Sequence, residues 1–408
     1  MQAGIEDCNL DLALEPEAAA IYCKQLDYQI SGSLRPFDTG TVYMILDCGG
    51  GTIDVTVHEM LENGKLKERH SATGGSYGGK TVEEAFIKVL QTVVIPNDFT
   101  DYANDNRGDF YELMRRFEAR KRTFNPSSPD DIKLEIPPTF REFCTKNGES
   151  LEVRLKKSVY ATTIQIRRDK MMIKPELFVS FFDKALREIS DLTKCVVTEV
   201  PEVETILLVG GFSAAPVIKQ LLDQKHPGMK IIVPEDPSTA ILKGAVLYGK
   251  DPDVVSFRVS RCTYGIATCR RFTRGKDPDD RKKTIDGKSM IDGVFQKHIK
   301  IGAMMPAGQV LEYHQYDAIS NNQGLMVLDV YQSVAEEPKY VWEDSCTKIG
   351  ELEITLPFVH GRQNKTVCVG MTFTRTQLTM EAIVLCTGEA TAATFKILEE
   401  SVVSESMA

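Results

Sequence analysis

The sequence predicts two regions of different class, a mixed α/β domain over residues 1–250 and an all-β domain over residues 251–408. Three observations favour this division. Two apolar, β-prone runs, residues 41–47 and 205–209, are each followed by consecutive glycines, as buried strands often are before a turn. Helical periodicity dominates much of the sequence between those runs. Beyond residue 295, short β-prone runs alternate with turn residues, which is typical of a β-sandwich.

Composition excludes several classes of protein. Hydrophobic residues make up 42% and charged residues 26% of the 408-residue chain, the balance of a globular protein. The formal net charge of −9 is spread without long runs of one sign, which argues against a nucleic-acid partner. No signal peptide and no 18-residue apolar run can be found, so we expect no secretion and no membrane span.

Cysteine and histidine spacing narrows the chemistry further. The ten cysteines contain no CxxC pair, and we expect them to be reduced thiols of a cytoplasmic protein. The six histidines show no HxxxH or HExxH spacing, so no zinc site is predicted.

The first predicted element is a helix that begins at Glu15. In EPEAAAIYCKQL, Pro16 occupies the first turn, where its missing N–H costs nothing. An acidic side chain, Glu15, therefore stands at a helix start.

The motif DCGGGTID, residues 47–54, is the most informative segment. Consecutive glycines between two predicted strands let the backbone approach a polyphosphate and turn successive N–H groups toward its oxygens. Asp47 at the strand end and Asp54 beyond the turn can hold Mg²⁺ through its waters. The alternative is a glycine-rich hairpin without a ligand. The remaining residues of this turn are Gly49, Gly50, Gly51 and Thr52, whose hydroxyl adds a donor.

A rival phosphate motif lies at residues 74–81, where GGSYGGKT fits the P-loop expression GxxxxGK[ST]. A P-loop needs a hydrophobic strand immediately before its first glycine, but KLKERHSAT precedes this one. We therefore do not expect Lys80 to act as a P-loop lysine. That hypothesis predicts that Lys80→Ala abolishes nucleotide binding, whereas Asp47→Asn hardly matters.

Helical spacing recurs over residues 81–95 and 109–124, and again after Pro175, whereas residues 130–165 are predicted to be largely β. The second helix carries a basic cluster near its end. Its charged side chains can reach a nucleoside, although composition alone favours a solvated face. Val209–Pro216 supplies a second glycine turn, followed by a helix near Pro216.

The composition changes after Gly249. Residues 270–289, RRFTRGKDPDDRKKTIDGKS, are predicted to form an exposed loop within the second domain. The β-prone runs follow it.

Taken in order, the motifs EPEAAA, DCGGGTIDVTV, GGSYGGKTVEEAF, RRFEARKRTF, LLVGGFSAAPVIKQLL and PEDPSTAILKGAVLYG resemble the nucleotide-binding domain of the 70-kDa heat-shock protein family. Across nearly the whole chain the similarity is to its divergent 12A/12B branch. This resemblance implies an actin-like fold whose two lobes close on ATP or ADP with Mg²⁺. It also implies a chaperone-like, stress-response protein that takes a polypeptide client or a signalling partner.

The resemblance assigns roles to particular residues. Glu15, Asp47 and Asp54 match the catalytic carboxylates, with Asp47 and Glu15 holding Mg²⁺ through water. GGSYGGK matches a glycine turn of the second lobe and not a P-loop. Ala214 and Asn125 depart from the family's arginine and serine, which puts nucleotide preference in doubt. The implied nucleotide-binding residues are Gly49, Gly50, Gly51, Thr52, Gly78, Gly79, Glu118, Lys121, Asn125, Gly210, Gly211, Ser213 and Ser238.

Other departures concern the two ends and the linker. No DxGTT-type phosphate loop and no counterpart of the family's catalytic lysine precede EPEAAA, so we expect an incomplete first lobe and weak or absent hydrolysis. The β-rich tail is similar to the family's substrate-binding sandwich, and no helical lid is expected after it. KDPDVVSFRVS lacks the apolar linker of the chaperones. A non-enzymatic scaffold that retains the actin-like shell is the alternative function.

Overall fold

A computed structural model gives the structure of the chain and describes residues 12–25, 37–94, 96–146, 148–285, 287–318, 323–357, 365–374 and 377–396. These residues form two compact units. The first unit comprises Glu15–His58 and Ala72–Leu247. The second comprises Glu59–Ser71 together with the described residues from Tyr248 onward.

A sheet with a parallel centre organises the first unit. Strand β1 (Val42–Cys48) pairs in parallel with β7 (Thr205–Val209), which pairs in parallel with β8 (Lys230–Ile232), and β2 (Ile53–Met60) lies on the other side of β1. Every residue of β1 and β7 is buried, which explains their continuous apolar sequences. In this register Asp47 is the partner of Val209, so the two glycine turns leave the sheet side by side.

The helices between residues 80 and 225 share one apolar core with the sheet of the first unit. The rings of Phe86 and Phe117 stack inside it with centroids 4.2 Å apart. The helices are α1 (Glu15–Gln25), α2 (Lys80–Val93), α3 (Pro96–Asp105), α4 (Arg107–Thr123), α5 (Pro138–Lys146), α6 (Leu151–Lys157), α7 (Pro175–Ser180), α8 (Asp183–Glu199), α9 (Pro216–Lys225) and α10 (Ala240–Tyr248).

The predicted β structure over residues 130–165 is only partly right. Strands β4 (Ile132–Glu135), β5 (Ile164–Arg167) and β6 (Lys170–Ile173) form a small antiparallel sheet. Helices α5 and α6 lie between β4 and β5. Each is short and buries one pair of residues four positions apart, Phe140 with Cys144 and Leu151 with Leu155, a spacing too brief to stand out as a helical pattern.

The second unit is rich in β structure, as predicted. Two antiparallel sheets, in the strand orders β11-β12-β10-β15-β16 and β14-β17-β18-β19, contribute to one apolar core. The strands are β9 (Val255–Val259), β10 (Thr263–Arg271), β11 (Lys282–Ile285), β12 (Lys288–Ile299), β13 (Met304–Pro306), β14 (Tyr313–Asp317), β15 (Leu325–Ser333), β16 (Cys346–Thr355), β17 (Thr366–Thr374), β18 (Gln377–Val384) and β19 (Ala390–Lys396).

Strand β9 joins neither of those sheets. It pairs antiparallel with β13 and in parallel with the first residues of β3 (Leu66–Gly75). The carboxylate of Glu68 accepts a hydrogen bond of 2.8 Å from the Val259 backbone N–H. Within the segment that follows residue 249, Val255–Val259 therefore form a paired strand.

The basic stretch over residues 270–289 is more ordered than the predicted loop. Lys282–Ile285 within it form β11. The Asp277 side chain is fully buried and accepts two hydrogen bonds from the Arg270 guanidinium, at 2.8 and 2.6 Å. Tyr340 donates a further bond of 2.8 Å from its hydroxyl to Asp277. This buried carboxylate ties the stretch to the sheet.

Candidate functional site

The first glycine turn connects β1 to β2 at the edge of the parallel sheet. It is closed by a hydrogen bond of 2.9 Å from the Gly49 N–H to the Thr52 carbonyl. Gly50, Gly51 and Thr52 are exposed, and a Cβ added to Gly50 or Gly51 would meet nothing within 4 Å. A ligand can therefore approach the backbone of this turn closely, as the sequence predicts.

The glycine pair Gly78 and Gly79 is docked directly on this turn. Backbone N–H groups of Gly78, Gly79 and Lys80 donate to the carbonyls of Gly51, Gly49 and Gly50 at 3.1, 3.1 and 2.8 Å. A Cβ on Gly78 would lie 2.6 Å from the Gly49 carbonyl oxygen, so only glycine allows this approach. The two segments are interlocked through their backbones.

This interlock contradicts the P-loop alternative. A P-loop binds phosphate with the free N–H groups at the start of its helix. Here the N–H groups of residues 78–80 are already engaged by carbonyl oxygens. The Lys80 side chain is exposed on the first residue of α2.

A group of three carboxylates lies beside the first glycine turn, formed by Glu15, Asp47 and Asp54. Asp47 is only 5% exposed. Its burial, the negative charges of Glu15 and Asp54, and a hydrogen bond with Glu15 raise the pKa of Asp47 to about 7. A nearby cation would stabilise the ionised form of Asp47, because its positive charge offsets both the burial penalty and the repulsion from the neighbouring carboxylates.

The carboxylates fit Mg²⁺ better than a fully protein-coordinated metal. Within the described part of the chain, no three His, Cys, Asp or Glu side chains are grouped for direct coordination of a metal ion. Mg²⁺ keeps several of its waters and commonly binds one or two carboxylates together with phosphate oxygens. Asp47 and Glu15, with Asp54 nearby, match that mode of binding.

The second glycine turn lies next to Asp47. Gly210 has φ +89°, and a Cβ there would collide with the Asp47 carboxylate and the Cys48 carbonyl. The Gly210 N–H donates to the Pro237 carbonyl at 2.9 Å, which brings the loop of Ser238 to this turn. The Ser238 hydroxyl itself donates to Asp236 at 2.7 Å. The sheet edge therefore carries three neighbouring loops.

Two of the predicted nucleotide-binding side chains have local partners. Ser213 is buried, and its hydroxyl donates to the Val209 carbonyl. The Asn125 side chain accepts hydrogen bonds from the Ser127 N–H at 3.0 Å and from Gln220 at 3.2 Å. Their assignment to the nucleotide stays a prediction.

Lys121 and Glu118 meet the glycine pair at a buried cluster. The Lys121 side chain is 3% exposed, and its ammonium donates to the Gly79 carbonyl at 3.1 Å and to the Glu83 carboxylate at 3.0 Å. It also pairs with Glu118. Burial opposes ionisation of Glu118, but hydrogen bonds from Lys121 and Arg122 outweigh it and hold the pKa of this carboxyl below its usual range.

Sequence reasoning missed two residues of this cluster. Glu83 lies in the first turn of α2, where an acidic residue is ordinary, so nothing marked it. Phe212 directly follows the second glycine pair, and its ring lies 5.6 Å from the Lys121 ammonium. An aromatic residue after Gly-Gly is usually part of the core, and the contact with α4 is not visible in the sequence.

A second candidate site is a groove of about 980 Å³ in the second unit, called here the β-groove. Strands β10, β12, β14 and β15 line it together with Trp342. Trp342 stacks on Tyr340 with centroids 4.6 Å apart, and the Arg281 guanidinium lies 4.9 Å above the indole. The groove is lined by apolar side chains together with polar side chains and charged side chains of both signs.

The interlocked glycine turns, the carboxylates at the end of a parallel strand and the buried Lys121 define an α/β protein with a candidate phosphate-binding site at its sheet edge. A sequence profile of the Hsp70 protein family matches residues 15–290. The chain belongs to the Hsp70 family. The resemblance seen in the sequence is thus confirmed, and with it the actin-like class of the α/β region; the expected incompleteness of the first lobe stays a prediction.

Relatives from several organisms are similar to this chain. Human heat shock 70 kDa protein 12A is 28% identical over 93% of this chain and 64% of its own length. Human heat shock 70 kDa protein 12B is 27% identical over 85% of this chain and 58% of its own length. The chaperone protein DnaK of Mycoplasmopsis synoviae is 26% identical over 55% of this chain and 35% of its own length. The chain thus spans about three fifths of the length of the 12A and 12B relatives it matches.

No helix among the described residues is long and apolar enough to cross a bilayer.

Proposed function

We propose that this chain binds ATP or ADP with Mg²⁺ at the edge of its parallel sheet. The observation that carries the proposal is the buried carboxylate of Asp47 between two glycine turns. Its negative charge is held against repulsion from Glu15 and Asp54, and Mg²⁺ bound to a nucleotide phosphate relieves that cost. The exposed backbone of Gly50 and Gly51 supplies phosphate donors. Members of the Hsp70 family bind ATP, which supports the choice of ligand.

Hydrolysis is proposed to be weak or absent in this chain. Phosphoryl transfer depends on positive charge placed at the γ-phosphate. The side chains that act electrostatically on Asp47 are the carboxylates of Glu15 and Asp54, and the ammonium of Lys121 is already paired with Glu83 and Glu118. Mg²⁺ then supplies much of the positive charge at the phosphates. We therefore expect nucleotide binding with weak or absent hydrolysis.

A thermal-shift titration with Mg·ATP tests binding. A ligand that binds only the folded state stabilises it by about 2.7 kcal/mol at 100 times Kd. We expect a rise in Tm that grows with the logarithm of the Mg·ATP concentration above Kd and that Asp47→Asn removes. Asp223→Asn is the matched control, because Asp223 forms an exposed pair with Lys219 on α9 and its loss should leave the titration unchanged. No shift at millimolar Mg·ATP contradicts the proposal and favours a nucleotide-independent scaffold.

We further propose that the β-groove takes a polypeptide in an extended conformation. Strand β14 pairs with β17 on one side and is the edge of its sheet among the described strands. Four residues of β14 line the groove, from His314 to Asp317. An edge strand beside a groove accepts an added strand through backbone hydrogen bonds. The name of the DnaK relative, a chaperone protein, agrees with such a client.

Intrinsic fluorescence provides the test, because Trp342 is the single tryptophan of the chain and lines the groove. Titration with a tryptophan-free, permanently unfolded polypeptide should change the emission in a saturable way, and the same polypeptide in a folded state should not. Binding that leaves the Trp342 emission unchanged would place the partner elsewhere. Binding with equal affinity in the presence and absence of Mg·ATP would support the scaffold alternative.

A further inference from the structure

A small pocket of the first unit contains none of the residues assigned above to the nucleotide or to the β-groove. Its volume is about 150 Å³, and it is lined by Ile53, Gly74, Tyr77, Glu188 and Leu192. A cavity of about this volume holds a molecule of the size of benzene, whereas sites for drug-sized ligands measure about 300 Å³ or more. The pocket therefore has room for one side chain but not for a nucleotide.

One side of the pocket is built by β2 and by the end of β3 with the turn that follows it. Ile53 is the first residue of β2, and a Cβ added to Gly74 would lie 2.1 Å from its carbonyl oxygen. A Cβ added to Gly75 would lie 2.4 Å from the Tyr77 ring. Only glycines therefore allow this segment to lie so close to β2 and to the ring, and they determine where the Tyr77 ring stands.

Helix α8 supplies the other side of the pocket. Glu188 and Leu192 are four positions apart on this helix, so their side chains are neighbours on one face. Both residues are half-buried. The Glu188 carboxylate forms no hydrogen bond or ion pair with another residue in the described part of the chain. A partly buried carboxylate without a partner costs free energy, and a cation placed in the pocket would offset that cost.

We propose that this pocket binds the side chain of an arginine from a partner polypeptide. Ile53 and Leu192 offer apolar contacts to the methylene stem of such a side chain. The Glu188 carboxylate can accept two hydrogen bonds from the guanidinium, and the Tyr77 ring offers a face on which that planar group can stack. Arginine suits the pocket better than lysine, because an ammonium has neither the planar face nor the fixed pair of donors.

A partner polypeptide is a better occupant than a free guanidine or amine. A cation–π contact and a partly exposed ion pair each change an affinity by about tenfold or less. Together they fall short of what even millimolar binding of a free ligand requires. The pocket therefore suits one anchoring side chain of a larger partner, whose remaining contacts supply the rest of the affinity.

The test compares two capped glycine-flanked peptides, one with a central arginine and one with citrulline, its neutral isostere. Their Kd values for the full chain are measured by saturation-transfer NMR without nucleotide. We expect the arginine peptide to bind about three- to tenfold more tightly. Glu188→Gln should remove this preference, and Tyr77→Leu should reduce it. Asp191→Asn is the matched control, because Asp191 is an exposed carboxylate on the same helix that does not line the pocket.

Several results would overturn the inference. Equal Kd values of the two peptides for the wild-type chain would mean that the pocket does not select a guanidinium. Equal loss of the preference in Glu188→Gln and Asp191→Asn would reduce it to general attraction by the surface charge. A preference that Tyr77→Leu leaves unchanged would place the guanidinium outside the pocket. If Tyr77→Leu does not fold, Glu188→Gln decides alone. The titrations contain no nucleotide, so their outcome is independent of the proposed Mg·ATP site.

Discussion

Asp47→Asn should make the ligand-free protein more stable at neutral and alkaline pH. The pKa of Asp47 is raised from 3.8 to about 7, first by burial and then by Glu15 and Asp54. An acid whose pKa is higher in the folded state keeps its proton there while the unfolded chain releases it. Stability therefore falls as pH rises from about 4 to about 7, since the folded state binds more protons in that window.

The magnitude follows from the size of the shift. Each pKa unit corresponds to 1.36 kcal/mol, so roughly three units set an upper limit of about 4 kcal/mol. Movement of the neighbouring carboxylates and entry of water lower the cost of the buried charge below this limit. We therefore expect the free energy of unfolding to rise by about 2–4 kcal/mol in Asp47→Asn at about pH 8. The gain should shrink toward zero at about pH 4, where the native carboxyl is already protonated.

The assay is calorimetric unfolding of both proteins across this range, without Mg²⁺ or nucleotide. The chain forms two compact units, so two unfolding transitions are fitted separately. The transition whose Tm changes when residues of the first unit are mutated is the one that is followed. Asp223→Asn should show no pH-dependent gain. An Asp47→Asn protein that is no more stable than wild type at about pH 8, with an unchanged pH profile, would refute the account of a costly buried charge.

Three further predictions follow from the geometry. Gly210→Ala should lower the free energy of unfolding in urea by more than about 2 kcal/mol, because φ is +89° and the new Cβ meets Asp47 and Cys48. Gly40→Ala is the control, because Gly40 has φ +84° but open space around it, so only the backbone strain should be lost. Equal losses in the two variants would contradict the steric argument. Lys80→Ala should leave Mg·ATP binding within about twofold of wild type, and abolition would restore the P-loop interpretation. Asp277→Asn should expose residues 270–289 to limited proteolysis at neutral pH. Because hydrogen bonds from Arg270 lower the pKa of Asp277, this contribution is present at neutral pH and lost in acid, so wild type and variant should become equally sensitive at low pH.

Much of the fold could be predicted because it depends on local signals. Continuous apolar runs followed by glycines marked β1 and β7, which are fully buried, and the prolines at positions 175 and 216 marked helix starts. The region with α5 and α6 was misread because each helix is short, so only one pair of buried residues four positions apart repeats in it. Hydrophobic periodicity needs several turns to become distinctive.

Only part of the candidate site could be predicted from local sequence signals. Asp47 and Asp54 could be singled out because carboxylates beside a glycine turn suit a cation. Glu15 was assigned to the metal by the family resemblance, and the structure places it close enough to raise the pKa of Asp47. The hydrogen bonds between residues 78–80 and 49–51 join backbone groups, which leave no side-chain signature beyond the glycines that permit them. The contact between Phe212 and Lys121 joins residues about 90 positions apart that are ordinary in their local contexts. Side chains with conspicuous chemistry are therefore visible in a sequence, whereas those that hold them in position are visible only once the chain is folded.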